Sequence, residues 1–514
     1  MWPVSRSNRR VRLGQARQYQ PLRSPLRYGR RVDDQEFVQR VRRHVPASLV
    51  PIVARYGAAF SEQEQYFKRH SAQYAPWVLA EVARASLVYG TDFNRKPATD
   101  DDLLSCCAAY QSLPDRELER DEEGAVGNFF LRLAGEQLTF QQSVLNDLAR
   151  TAALFEQTTP RKVLRTASPG WPERLLGCRL KEYVGAAILL HTSALKNAGT
   201  FDLKWLTQPN FEEVTREVPA DVLRLVIEKQ YMATREELRA IQQEVEGRTG
   251  VPNRDYRRFG FNPLSRRPVV AGLADTLVIP VPGFIVRRAS PLGIYYSGMA
   301  QWGSGFSADL GELFEVYVGR QLDLLPDVRV LPEIAFGRKK GALSVDWFAV
   351  FDDCVVLVEV KSTRPTEPIR LADGRAGEEL RRMLGHAVDQ LSTSAGRVRS
   401  GEPGFEEVPS DRPMVGLVVT MEPFHTVNIP FTSSHLPQCD IPFAVCSALD
   451  LEHLVTVSDV SVGRLLLDHL TDPNKKGWSV SSALTGHAHG RNAVIDEGWA
   501  SYPWKEQPEF TGGV

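Results

Sequence analysis

Of the 514 residues, 43% are hydrophobic, and 62 Lys and Arg nearly cancel 63 Asp and Glu to leave a formal charge of −1. That length and apolar content build real cores and exclude a disordered polymer, while the balanced charge excludes a global attraction to polyanions, leaving that role to local clusters. Six scattered cysteines exclude a disulfide framework and a zinc knuckle, and no run of about 18 apolar residues exists to span a bilayer, so a cytoplasmic protein without a membrane partner is expected.

In chain order, residues 1–32 are rich in Arg and carry no acid before Asp33. They read as a basic disordered arm, with a transit peptide or a phosphate-binding arm as alternatives. Residues 33–250 place apolar side chains three and four apart, in stretches such as "APWVLAEVARASLVYG", and predict an all-α domain. Thr99 followed by Asp100 to Asp102 marks one helix start, and Gly247 and Gly250 mark a stop. Residues 251–304 are dense in Pro, Gly and β-branched residues and predict a β-rich connecting segment.

The next block, 305–455, predicts a helix over 307–325 with Ser307 as its N-cap, then strands at 328–336, 342–351 and 354–362. A basic turn at 337–341 separates the first two strands, and Asp352 with Asp353 turns the second into the third. A helix over 377–398, a strand over 414–422 and a further strand over 443–450 complete the order α-β-β-β-α-β-(β). The last segment, 456–514, reads as an irregular extension.

Three charges interrupt otherwise apolar strands: Asp346, Glu359 and Lys361. A lone buried charge is costly, so charges in such places are paired, bind metal or face a cleft. Glu359 and Lys361, two residues apart, share one face of a strand at about 6.6 Å separation. Asp346 lies on the neighbouring strand of the hairpin, so the three converge. Two carboxylates with the backbone carbonyl of Val360 form a half-shell of oxygens of the kind Mg²⁺ or Mn²⁺ accepts, and a lysine beside them can position a water.

This arrangement resembles the PD-(D/E)XK, or restriction-endonuclease-like, nuclease superfamily: Asp346, twelve residues, then Glu359-Val360-Lys361, with Glu315 on the preceding helix and Gln390 on the following one. Two positions depart from the family pattern, Val345 standing for the usual Pro and Ser394 for the Tyr of the exonuclease branch. The resemblance implies a multidomain chain in which the all-α domain precedes a three-layer α/β/α core with a central mixed β-sheet. It also implies a Mg²⁺-dependent nuclease with Asp346, Glu359, Lys361, Glu315 and Gln390 in the site, acting on DNA in restriction, anti-phage defence or repair. The metal ligands would be Asp346, Glu359 and Val360. Arg338, Lys339 and Lys340 in the basic turn are candidates for backbone contact with the nucleic acid. The helical domain is a candidate for homo-oligomer or partner-protein contacts.

Each residue has a plainer reading beside this one. The Asp-Glu-Lys trio can be a structural ion-pair cluster, and the fold can survive in a non-catalytic nucleic-acid-binding or scaffold protein. Glu312, one turn before Glu315, competes for the same role. Gln390 can sit on a solvated helix face, and basic turns favour solubility. His487 and His489 in "GHAHG" read as a solvated tail, and no phosphate loop, nucleophile elbow or dinucleotide fingerprint is present.

Overall fold

A computed structural model of the chain describes residues 33–62, 73–93, 97–119, 124–140, 144–249, 259–337 and 341–502. The basic arm at 1–32 and the triplet Arg338, Lys339 and Lys340 lie outside the described residues.

The first half is helical, as the apolar spacing predicts. It includes α1 (Pro46–Glu62), α2 (Pro76–Tyr89), α3 (Asp100–Gln111), α4 (Val144–Phe155) and α5 (Leu180–Lys196). Thr99 opens α3 by a reciprocal cap: its hydroxyl accepts from the Asp102 N–H at 3.3 Å, and Asp102 Oδ2 accepts from the Thr99 N–H at 2.9 Å. Among its described residues the segment expected to be β-rich contributes only Val269–Val270 and Leu277–Val278, which join Thr200–Phe201 and Met232–Ala233 in one small sheet. Its second half is helical instead, forming α6 (Gly283–Ala289) and α7 (Pro291–Trp302). Pro282 and Pro291 sit where a helix begins and their missing N–H has no partner to lose, so prolines that read as strand punctuation open helices.

Next comes α8 (Ser304–Leu322), which starts before the expected Ser307. Its N-cap is Gly303, with φ 58°, a left-handed backbone that glycine adopts freely. The strands are β1 (Arg329–Pro332), β2 (Trp347–Val350), β3 (Val355–Lys361), β4 (Met414–Thr420) and β5 (Phe443–Ser447), in the spatial order β5-β4-β3-β2-β1. Pairs β1–β2 and β2–β3 are antiparallel, whereas β3–β4 and β4–β5 are parallel, so the sheet is mixed. The first two strands read from sequence are each shorter than expected. Residues 335–336 and 342–343 peel away as a separate ribbon, which leaves Asp346 one residue ahead of β2.

Helices cover both faces of the sheet. Val356, Val358 and Val360 of β3 pack with Leu310, Leu313 and Phe314 of α8, while Val355 and Leu357 pack with Leu384, Val388 and Leu391 of α9 (Ala376–Arg399). Strict alternation on β3 divides the two cores, and burial on both faces explains why β3 and β4 read as unbroken apolar runs. After β5 come α10 (Ala448–Leu454), α11 (Val462–Thr471) and α12 (Ala493–Ala500). The expected irregular extension therefore carries helices among its described residues, and Leu466, Leu470 and Val494 are buried in the main core. That same core runs back to Leu148, Tyr183 and Phe201. The helical region and the sheet thus share one apolar interior across the boundary expected at 250–305.

Candidate active site

The pairing of β2 with β3 begins at Trp347 opposite Val358, so the edge of β3 beyond that point is open on the β2 side. Asp346 fills it: its Oδ2 accepts from the Val360 N–H at 2.6 Å. The N–H and C=O of a strand residue point to the same edge, so the Val360 carbonyl faces the same gap. On the α9 side, Lys361 Nζ donates to Glu359 Oε1 at 2.6 Å and to Gln390 Oε1 at 3.4 Å. Gln390 Nε2 in turn donates to the Ser344 carbonyl at 3.3 Å. Asp346, Glu359, Lys361 and Gln390 thus meet at the end of the hairpin.

Burial sets the electrostatics of this cluster. Glu359 is 1% exposed, and desolvation followed by the charge of Asp346 pushes its carboxyl up to about 8, against the pull of Lys361. Asp346 is also raised, by burial first, with the Val360 N–H and Lys361 opposing. Glu315 on α8 rises to about 7 through burial and the charge of Asp346, opposed by Arg161. Glu312, the competing candidate, has another task. Its Oε1 accepts from the N–H groups of Arg161 and Lys162 at 2.8 and 3.1 Å, so it holds a loop while Glu315 is the α8 carboxylate coupled to Asp346.

That loop was not singled out from sequence. Asp309, Glu312 and Glu315, three apart on α8, present one face. Asp309 accepts from the N–H groups of Arg165, Thr166 and Ala167 at 3.0, 2.6 and 2.9 Å, and Arg161 Nη1 donates to Glu315 Oε1 at 2.8 Å. The Arg161 guanidinium also lies 4.5 Å above the Trp347 ring, whose Nε1 donates to the Glu315 carbonyl at 3.1 Å. The basic run "PRKVLR" was the available signal; its docking partner lies about 150 residues away, beyond any local pattern. Ser394, the departure from the family pattern, accepts from the Val345 N–H at 2.9 Å and so fixes the residue next to Asp346.

The two tail histidines are held rather than loose. His487 Nδ1 sits 3.2 Å from Asp459, and His489 bridges Val457 and approaches Thr456 Oγ1 at 3.1 Å. Neither belongs to the cluster around Glu359.

Among the described residues no three His, Cys, Asp or Glu side chains gather as a metal-binding group. The donor set here is two carboxylates and a carbonyl. Its chemistry fits a hard divalent cation: all donors are oxygen, and Glu359 Oε2 is buried with no hydrogen-bond partner, a costly state that a bound cation relieves. Compared with family models, with curated proteins and with solved structures, the chain matches none.

Proposed function

We propose that the chain is a metal-dependent nuclease of the restriction-endonuclease-like type, hydrolysing phosphodiester bonds in DNA. The observation that carries the reading is the unpartnered, buried Glu359 Oε2 placed beside Asp346 and Lys361 at the open edge of β3. The sheet order and the helix before and after the hairpin support the same reading. Asp346, Glu359 and the Val360 carbonyl would hold Mg²⁺ or Mn²⁺, which when bound supplies Lewis acidity at the phosphoryl oxygen and a more acidic water.

The chain's own groups divide the remaining work. Lys361, anchored between Glu359 and Gln390, presents its ammonium to a water or to negative charge developing on phosphate oxygen. Gln390 fixes that lysine against the Ser344 carbonyl, which keeps the ammonium from swinging into solvent. Glu315, raised to about 7, exchanges a proton near neutral pH.

A second reading is favoured by one observation: the Val360 N–H and the Lys361 ammonium already take one oxygen of each carboxylate, as in a structural ion-pair cluster of a non-catalytic nucleic-acid-binding or scaffold protein. Two measurements separate them. Linear, circular and single-stranded DNA, and RNA, are incubated with the full chain and Mg²⁺, Mn²⁺ or EDTA. Cleavage in metal that falls by about a hundredfold or more in Glu359→Gln and Lys361→Ala supports the nuclease, whereas undiminished cleavage in either folded variant removes the site. In thermal unfolding, a divalent ion at 100 times its Kd adds about 2.7 kcal/mol to the wild type and little to Asp346→Asn. No metal effect together with no cleavage leaves the scaffold reading standing.

A further inference from the structure

A cavity of about 470 Å³ lies beyond the carboxyl ends of β3 and β4. None of Asp346, Glu359, Lys361, Glu315 or Gln390 lines it, so it is separate from the candidate active site. Its walls come from three parts of the chain: Phe60 and Leu79 of the first helices, Phe284 and Arg287 of α6, and the connections that follow β3 and β4. The carboxyl ends of parallel strands are where open α/β sheets receive ligands, and this volume is that of a small-molecule site.

Arg287 and Glu422 line the cavity, and neither side chain makes a hydrogen bond or ion pair within the described residues. The guanidinium of Arg364 lies 4.2 and 4.4 Å from the ring centroids of Tyr295 and Tyr296 and makes no ion pair among the described residues. Asp147, the other lining carboxylate, is already bonded to Arg150 at 2.5 Å. Three arginines, Arg287, Arg364 and Arg370, therefore line the space against two carboxylates, Glu422, whose charge feels Arg287 and Arg364, and Asp147, which is bonded to Arg150, so positive charge is in excess at this wall.

We propose that this cavity binds a small organic anion, an apolar or aromatic body seated against Phe60, Leu79 and Phe284 with its anionic group on Arg287 and Arg364. The position gives the occupant a line to the candidate active site without touching it. Arg364 stands three residues after Lys361 on the same strand exit, and Glu422 two residues after Thr420, the register partner of Lys361. The binding claim stands whether or not the chain cleaves nucleic acid.

The test uses the full chain and anilinonaphthalene sulfonate, an aromatic anion that fluoresces when it leaves water. One saturable site is expected, with affinity about tenfold weaker in Arg287→Met and in Arg364→Met. Arg287 has no side-chain hydrogen bond or ion pair to lose among the described residues, so its variant carries the test if Arg364→Met, which disturbs two tyrosines, does not fold. Decanoate and adenosine monophosphate are then added as competitors beside inorganic phosphate. Displacement by decanoate assigns an alkyl carboxylate, and displacement by the nucleotide assigns a nucleotide. Probe binding that is unchanged in Arg287→Met, displacement by neither organic anion, or equal displacement by inorganic phosphate each overturn the proposal.

Discussion

Glu359 and Glu315 both hold protons more tightly in the fold than their ordinary 4.5 allows, rising to about 8 and about 7. The folded state therefore binds more protons than the unfolded chain through that range, and the stability this contributes is complete below about 4.5 and lost as pH rises through the folded values. Each tenfold change in proton affinity is worth about 1.4 kcal/mol, so the loss attributable to Glu359 is on the order of a few kcal/mol. Glu81 and Glu422, each pushed up to about 7 by burial, move the whole protein in the same direction. The informative quantity is the difference between wild type and Glu359→Gln. Denaturant melts without divalent ions at steps between pH 5 and 9 should show wild type losing ground to the variant up to about 8 and running parallel above it. Saturating Mg²⁺ should flatten that difference, since a cation takes the place of the proton. A difference that does not change with pH would mean that Glu359 is ionised throughout.

At the scale of elements, the hairpin end is held by contacts that a mutation far from the charges would disturb. A Cβ on Gly319 of α8 would fall 2.2 Å from the Trp347 ring, far inside contact distance. Gly319→Ala should therefore displace the indole, and with it the stacked Arg161 and the adjacent Asp346. Overpacking of this kind costs roughly 1–3 kcal/mol. A variant that melts lower and also loses the proposed nuclease activity, measured well below its melting temperature, fits this account; a wild-type melting curve would show that the ring has room to move. Ser394→Ala removes the hydroxyl that holds the Val345 N–H, and as a positioning residue for the proposed activity it should lower kcat more than it raises KM.

These contacts also show which part of the site was legible. Asp346, Glu359, Lys361 and Gln390 sit at spacings fixed by strand and helix periods, which a sequence displays directly. The lengths of the first two strands were not legible, because the ladder stops at the Pro332–Trp347 pair while the apolar pattern continues. Nor was the choice between Glu312 and Glu315, which is decided by a loop that arrives from the helical half.

For the whole molecule, a buried network ties the halves together. Glu452 of α10 accepts from Arg150 Nη2 of α4 at 2.8 Å and from the Tyr317 hydroxyl of α8 at 2.6 Å, while Asn492 Nδ2 donates to the Glu452 carbonyl at 3.0 Å. Arg150 and Glu452 are both buried, so Arg150→Met strands the carboxylate and should cost about 3–5 kcal/mol. Glu452→Gln should cost less, since the amide still accepts hydrogen bonds. Equilibrium unfolding in denaturant measures both, and equal losses would indicate that packing, not charge, dominates. Four separate stretches meet at this one residue, a convergence that no periodicity in any single stretch displays.

The apolar interior that crosses from the helical half into the sheet also limits how such a chain can be passed between genes. A recombination event that carried only residues 305–455 into a new host would deliver a sheet with α8 in place but without Leu148, Tyr183 and Leu466, which complete the packing on that face. It would also leave behind Arg161, and with it the guanidinium that counters Glu315. The smallest heritable unit that keeps this interior closed runs from α4 to Tyr502, so the Asp346, Glu359 and Lys361 cluster and much of the helical half are expected to have been inherited together rather than assembled as interchangeable cassettes.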